Sequence, residues 1–433
     1  MSEVVVASNT DWRGQVANNL SSIVGRTDFA QARVEMQVPT IDFSRALNLP
    51  STRRLNGLNQ VSPVAEEVLG FEVTRGQHTE DVMRLTSVTL TNLAQTQPAL
   101  FSELTKEYNL DSDALILHCV EYMRLHDSAT LAFQGAMHGR ITINGEKYDE
   151  DKVLLGAFTE PPPFKAVSDL LFDEVTLEYY KTSNLDKKII KKIAEDSIDG
   201  KSLLGMMLKK GGDCLPIDSL AYISRDFSEL LNIFGIADNL SFSEQVNQVL
   251  KGLMESSNVL NQNQALGLPK KPLIKPKIEG LIPSNIVKLE EIEGRPKLVY
   301  DGLSTFELYV KHILLRLFFS GSPWIQGAER QIYNYFQAKN SSEQPELLRL
   351  LLTASEKELL TPDLLSAFQS YGWYYSTLPG NYGSKKFILK DIGQTLIDAN
   401  GEITTFDEAF PDLMKLKEDI RGQPLLYLHN KHE

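Results

Sequence analysis

The stretch SDALILHCVEYMRLHDSATLAFQGAM (residues 112–137) indicates the fold class of this chain. Its apolar residues recur at spacings of three and four, and acidic residues lie near its start, as is typical of an amphipathic helix. Residues 78–97 show the same pattern. Further helices are predicted at 165–182, 186–196, 216–234, 241–254, 303–319, 325–338 and 344–353. We therefore expect a mainly α-helical protein.

Short antiparallel hairpins accompany these helices in the predicted fold. Residues 140–148 and 395–406 each place Asn-Gly between β-prone residues, and this dipeptide is the strongest short signal for a hairpin. Residues 285–300 indicate a third hairpin, around Glu-Gly. Strands and helices do not alternate as they do around a parallel sheet. The predicted class is α+β, mainly α-helical with small antiparallel hairpins or sheets.

Composition excludes several classes of protein. The chain has 57 acidic and 44 basic residues and a net charge of −13, which argues against a coat of basic residues that neutralises phosphates. Its only cysteines, Cys119 and Cys214, suggest a reducing compartment. We expect neither a secretory signal nor a membrane span, because the apolar runs are short and interrupted by charges. The expected location is cytoplasmic or otherwise intracellular, or within a virion if the protein is viral.

Two proline-rich breaks divide the chain. Residues 160–164 contain three consecutive prolines, which fix φ and remove backbone donors, and residues 261–283 combine four prolines with four lysines. The predicted units are an acidic, mainly helical domain at 1–160 with a hairpin near its end, a helical domain at 161–266, a Pro/Lys-rich segment at 267–284 and an α+β C-terminal domain at 285–433. The Pro/Lys-rich segment is either a solvated linker or an arm laid across a partner subunit.

A Gly-Lys-Ser triplet at Gly200 resembles the end of a phosphate-binding loop only by chance. Such a loop needs a glycine five positions earlier, where this chain has Glu195, and a buried strand ahead of it. An amphipathic helical run precedes the triplet instead. Asp199 and Gly200 are therefore predicted to end one helix before another begins.

No metal site, cofactor site or catalytic residue is predicted. Soft ligands concentrate locally only at His118, Cys119, His126 and His138. A single helix usually supplies metal ligands at positions i and i+4, and a closed site needs four ligands. The sequence also lacks the elbow motif of serine hydrolases. An enzyme would need a site assembled from distant residues, and histidines or carboxylates that converge in the structure would support one.

The C-terminal third contains the most coherent group of motifs. A helix at 344–353 is followed by Ser355 and Glu358, which form a plausible capping box, and by Thr361 as the cap of another helix. Two strands, 373–378 and 385–391, would then pair. This order of elements resembles a winged helix-turn-helix module. The resemblance implies a recognition helix at 362–372 and a wing tip at 379–386.

The resemblance implies contacts with nucleic acid or with protein. The recognition helix would carry no Arg or Lys, so Gln369, Ser366 and Ser370 would have to meet base edges. Lysines near the wing could meet phosphates. The candidate partner or nucleic-acid contacts are Tyr382, Lys385, Lys386 and Lys390 here, and Lys270, Lys271, Lys275 and Lys277 in the Pro/Lys-rich segment.

Three functions remain open from the sequence. The first is a non-catalytic structural or interaction subunit of a larger assembly, such as a viral or phage structural or nucleoprotein-type component, with protein partners or self-association. The second is a nucleic-acid-binding or transcription-associated protein that uses the winged-helix-like module. The third is an enzyme whose site is assembled from scattered residues. The missing motifs and the Pro/Lys-rich segment favour the first.

Overall fold

The structure is a computed structural model of the chain. The residues it describes are 41–60, 73–96, 98–137, 140–143, 145–159, 164–200, 202–210, 217–219, 221–222, 235–236, 240, 248, 288–292, 295–299, 330, 332–338, 344–359, 361–362, 376–377, 386–389, 395–398 and 403–405. This part of the chain is mainly helical. The mainly α-helical character predicted from the sequence is therefore confirmed.

The helices follow one another closely along the described chain. They are α1 (Phe43–Leu47), α2 (Pro50–Leu55), α3 (Arg75–Thr96), α4 (Pro98–Tyr108), α5 (Ser112–Leu125), α6 (Gln134–Met137), α7 (Glu150–Thr159), α8 (Lys165–Leu171), α9 (Glu174–Thr182), α10 (Lys187–Asp199), α11 (Leu203–Gly205), α12 (Gln344–Thr353) and α13 (Glu356–Leu359). A π-helical turn, Met206–Lys210, follows α11 directly. Residues 332–338 are also helical.

Side-chain caps set several helix boundaries. Asp111 accepts a hydrogen bond from the backbone N–H of Ala114 at the start of α5, and such a cap satisfies a donor that would have no partner within the helix. The predicted capping box of Ser355 and Glu358 is confirmed, because each side chain accepts the other residue's backbone N–H. Gly200 ends α10 in the left-handed conformation, which confirms the predicted helix stop.

Two of the predicted helices are shorter in the structure. The helix predicted over 112–137 ends at Leu125, because the chain turns there: the N–H of Ser128 donates to the Leu125 carbonyl. Phe133 then adopts a positive φ of 56°, which no helix accommodates. The helix predicted over 165–182 is divided into α8 and α9, since Asp173 caps a new helix after a turn.

Strands are short and pair locally. β1 (Thr142–Ile143) pairs with β2 (Glu146–Lys147), and β3 (Lys288–Ile292) pairs with β4 (Arg295–Val299), both antiparallel. Strands β5 (Ser376–Thr377), β6 (Lys386–Leu389), β7 (Thr395–Asp398) and β8 (Ile403–Thr405) follow in sequence and pair in that order. The three tracts where Asn-Gly or Glu-Gly dipeptides predict hairpins thus contain paired strands.

The core centres on α3 and α5, which pack along each other. Apolar side chains of both helices are fully buried, among them Val82, Leu115 and Met123. A charged pair is buried with them: Arg124 donates to both carboxylate oxygens of Glu121, at 2.6–3.0 Å. A buried charge is tolerated only when it is paired and hydrogen-bonded, and this network also ties α5 to hydroxyl groups of α2.

Helices α12 and α13 pack onto this core although they lie more than 200 residues further along the chain. The N–H of Ala132 donates to the Leu351 carbonyl, and the N–H of Glu356 donates to the Gly57 carbonyl, both at 2.8 Å. Residues from the predicted first and last domains are therefore in direct contact.

Several predictions concern residues outside the described ranges. Most of the winged-helix-like tract, including 363–375, is among them, and so is all of the Pro/Lys-rich segment. Within the described residues, none of the helices has the length and apolar character required to cross a bilayer.

The close approach of α2 to α13 predicts the effect of a small substitution. A Cβ at position 57 would lie 2.4 Å from the Cβ of Ser355. We expect Gly57→Ala to lower the free energy of unfolding by about 1–3 kcal/mol, because overpacking forces the backbone to shift, as measured by urea denaturation. In the double variant with Ser355→Gly, part of this loss should be recovered; purely additive effects would contradict the contact.

Candidate metal centre

The first turn of α3 carries a buried histidine, His78. Thr74 and Gln77 fix this turn as a capping box: the N–H of Gln77 donates to Thr74 Oγ1, and the N–H of Thr74 donates to Gln77 Oε1. His78 is the next residue, and its side chain is only 3% exposed. The local sequence therefore places an imidazole at the start of α3 in the protein interior.

The end of α5 supplies two more buried polar side chains, His126 and Asp127. The ring Nδ1 of His126 lies 2.6 Å from the Met123 carbonyl. Because a carbonyl oxygen only accepts, Nδ1 carries a hydrogen and donates it. The neutral ring then has its lone pair on Nε2. Metal-binding histidines are commonly oriented in this way, with the second ring nitrogen donating to a backbone carbonyl.

A third segment completes the cluster with Asp218, which lies in the helical residues 217–219. Asp218 Oδ1 accepts a hydrogen bond from His78 Nε2 at 2.8 Å, because a carboxylate oxygen only accepts, and it lies 3.2 Å from His126 Nε2. Asp127 Oδ1 is 3.4 Å from His126 Nε2. The ligand atoms of His78, His126 and Asp127 all lie within 4.8 Å of one another.

The imidazole of His126 lacks a hydrogen-bond partner on its inner side. Its Nε2 is buried, faces carboxylate oxygens of Asp127 and Asp218, and makes no hydrogen bond of normal geometry to the described residues. A lone pair directed at two anionic oxygens is unfavourable unless a proton or a cation lies between them. Two imidazoles and two carboxylates suit a divalent transition-metal ion.

The cluster strongly perturbs the pKa values of its members. Burial opposes ionisation of Asp127, but His126, Arg75 and His78 outweigh burial and hold the pKa of this carboxyl well below its usual range. Burial likewise opposes ionisation of Asp218, whose pKa the two histidines nevertheless lower. Burial would lower the pKa of His126, yet the two carboxylates raise it above its ordinary value of 6.5. The site is therefore organised around charge compensation.

Two basic side chains, Arg75 and Lys209, interact electrostatically with members of the cluster. Arg75 Nη1 donates to Asp127 Oδ2 at 2.8 Å, while the buried Nε of Arg75 makes no hydrogen bond to the described residues. Lys209, in the π-helical turn, donates to Asp151 at 2.6 Å and is 10% exposed. Burial disfavours its charge, but Tyr122, Glu150 and other neighbours raise its pKa well above the ordinary value. Each of these cations is thus paired with a carboxylate, and Lys209 lies in a π-helical turn, a feature that often occurs at functional sites.

The histidine and cysteine residues considered from the sequence lie in different surroundings in the structure. His118 lies outside the cluster: its Nδ1 donates to the Ala114 carbonyl, and its Nε2 accepts the N–H of Asp186. Cys119 is a buried free thiol whose pKa burial raises. Of these four residues, His126 belongs to the cluster, and His138 lies outside the described residues.

Residues 78, 127 and 218 are the ones that sequence reasoning missed. A signal was present: a histidine follows a capping box at the start of one helix, and a His-Asp pair ends a later helix. When two such helices pack antiparallel, the start of one meets the end of the other.

The structure does not test whether the eight candidate partner contacts lie together. Lys386 lies in β6, and the other seven fall outside the described ranges.

Comparison of the chain with models of known protein families finds no match, and comparison with curated proteins finds none either.

The perturbed pKa values predict how stability depends on pH in the metal-free protein. Because the pKa of His126 is raised, its ionised form stabilises the fold below pH 6.5, and this stabilisation is lost as the pH rises through the folded-state pKa. The pKa values of Asp127 and Asp218 are lowered, so their ionised carboxylates stabilise the fold above pH 3.8. This stabilisation is lost as the pH falls through their folded-state pKa values. The melting temperature, measured with a chelator present, should therefore fall both as the pH rises above 6.5 and as it falls below 3.8.

The variant His126→Gln tests whether His126 causes the loss of melting temperature at high pH. It should flatten the loss of melting temperature above pH 6.5 while leaving the acid decline in place. An unchanged alkaline slope in this variant would show that His126 is not the group responsible.

Proposed function

We propose that this chain is a divalent-cation-dependent hydrolase whose site consists of His78, His126, Asp127 and Asp218. The observation that carries the proposal is the convergence of two buried imidazoles and two carboxylates from three separate segments. Converging groups with perturbed pKa values are what an enzyme site assembled from distant residues requires. This proposal departs from the sequence-based expectation of a non-catalytic subunit.

The chemistry follows from the residue types. A divalent cation held by such ligands lowers the pKa of a bound water and polarises a substrate oxygen. The Nδ1–H bond of His126 to Met123 leaves Nε2 as the atom of this ring that would bind the cation. Asp218 is the most exposed member, at 24%, and we propose that the site opens on its side. Substrate and water would enter there.

The cations beside the site indicate an anionic substrate. Arg75 bonds Asp127 through Nη1 and has a buried Nε with no hydrogen-bond partner among the described residues, and Lys209 donates to Asp151 and has a pKa raised well above its ordinary value. Arg and Lys stabilise charge that develops on phosphoryl oxygens during transfer. We therefore propose a phosphate ester as the substrate class. The assembly subunit and the nucleic-acid-binding protein with its winged-helix-like module remain predictions, because all of their candidate contact residues except Lys386 lie outside the described ranges.

The proposal predicts that removal of a ligand abolishes cation binding. We expect the full chain to bind Mn²⁺ and His78→Ala and Asp127→Asn to weaken this binding by about 100-fold or more, since even residues that only orient ligands change metal affinity by about 10–100-fold. Isothermal titration calorimetry would measure both affinities. The matched control is His118→Asn, another buried histidine, which should bind Mn²⁺ as the wild type does.

Hydrolysis of p-nitrophenyl phosphate tests the catalytic part. The Mn²⁺-loaded protein should release p-nitrophenol, and a chelator should stop the release. Cation binding without hydrolysis of this ester or of nucleotides would reject the hydrolase. Absence of Mn²⁺ binding by the wild type would reject the metal centre itself.

A further inference from the structure

The loop that follows Asp127 is held in place by residues from distant parts of the chain. This loop, residues 128–133, joins the metal centre to α6, and its backbone groups contact α2 on one side and α12–α13 on the other. Its conformation begins at the site, because the N–H of Thr130 donates to the carbonyl of Asp127 at 2.9 Å. The position of Asp127 thus depends on how this loop is held.

Arg54 holds the carbonyl groups of the loop. Its Nη2 donates to the Thr130 carbonyl and to the Leu351 carbonyl, both at 2.9 Å, and its Nη1 lies 3.5 Å from the Ser128 carbonyl. Burial lowers the pKa of Arg54 to about 10, although Tyr148 and Glu356 partly offset this effect. A single guanidinium therefore connects the loop of the metal centre to the end of α12.

Glu356 holds an amide group at the far end of the loop. Its Oε1 accepts the N–H of Phe133 at 2.7 Å, and its Oε2 accepts the N–H of Asn59 at 3.1 Å. The residue is only 3% exposed. Charge-assisted hydrogen bonds of this kind are about twice as strong as neutral ones, so this carboxylate fixes two separate backbone segments at once.

Phe133 shows why such a contact is needed. Its φ of 56° places a non-glycine residue in the left-handed region, which is costly and persists only where the surroundings impose it. The Glu356 carboxylate binds its N–H, and its ring packs 5.5 Å from that of Phe336. Residues from the C-terminal half of the chain therefore impose the conformation of the loop.

We propose that Glu356 is a positioning residue for the metal centre: through the backbone of loop 128–133 it fixes the carboxylate of Asp127 in the geometry that binds a cation. This inference rests on the proposed function, because it assumes that the cluster binds a metal ion. It extends the site from the helices of the first 220 residues to α13.

The test compares two glutamates of the C-terminal helices in the full chain. Glu356→Gln keeps one acceptor oxygen but presents an amide donor to a backbone N–H. We expect it to weaken Mn²⁺ binding by about 10-fold or more and to change the visible absorption spectrum of bound Co²⁺ at saturation, because the ligand geometry changes. Glu346→Gln, an exposed residue of α12, should leave both properties unchanged. Arg54→Lys, which keeps the charge but loses the forked donor, should act like Glu356→Gln and replaces it if that variant does not fold.

The outcomes separate this inference from the proposed function. If Glu356→Gln lowers the melting temperature but leaves Mn²⁺ affinity and the Co²⁺ spectrum as in the wild type, Glu356 is structural and the inference is overturned. If the wild type binds neither ion, the metal centre is overturned and the inference with it. If the ions bind but no ester is hydrolysed, only the hydrolase is rejected, and the effect of Glu356→Gln still decides the inference.

Discussion

The compensation of buried charge is the constraint on which this structure depends. Two carboxylates and two imidazoles meet where the start of α3 contacts the end of α5, and one turn before that end Arg124 and Glu121 form a second buried pair. Uncompensated charges in such positions would cost several kcal/mol each, roughly as much as a small domain's whole net stability. A helix pair that places charges in its interior therefore needs partners from elsewhere. For the cluster these partners are Arg75 and, in our proposal, a divalent cation.

The same principle explains why distant parts of the chain converge on one loop. Arg54 from α2 and Glu356 from α13 are themselves buried or nearly so, and each satisfies backbone groups that would otherwise be orphaned in the interior. The contact between Gly57 and Ser355 brings these two elements close enough to do so. Stability and site geometry are thus coupled, because the contacts that dock α12–α13 are also those that shape the loop after Asp127.

Local features could be predicted from the sequence, and long-range ones could not. The helix at 344–353, the Ser355–Glu358 capping box and the helix stop at Gly200 depend on neighbouring residues, and all three occur as predicted. The helix predicted through 112–137 ends at Leu125, because periodicity does not reveal the turn in which the N–H of Ser128 donates to the Leu125 carbonyl. The histidine–aspartate cluster could not be predicted for a similar reason: His78, Asp127 and Asp218 come from three segments, so no spacing in the sequence links them.

The most direct test of the central claim is anomalous X-ray diffraction from crystals grown with Mn²⁺. The account predicts one strong anomalous peak between α3 and α5, with a ring nitrogen of His78, His126 Nε2 and oxygens of Asp127 and Asp218 each at about 2 Å from it. Crystals that contain Mn²⁺ but show no peak there, with His126 Nε2 instead donating a hydrogen bond to Asp218, would contradict it. The cluster would then be an ion-pair network that only stabilises the fold.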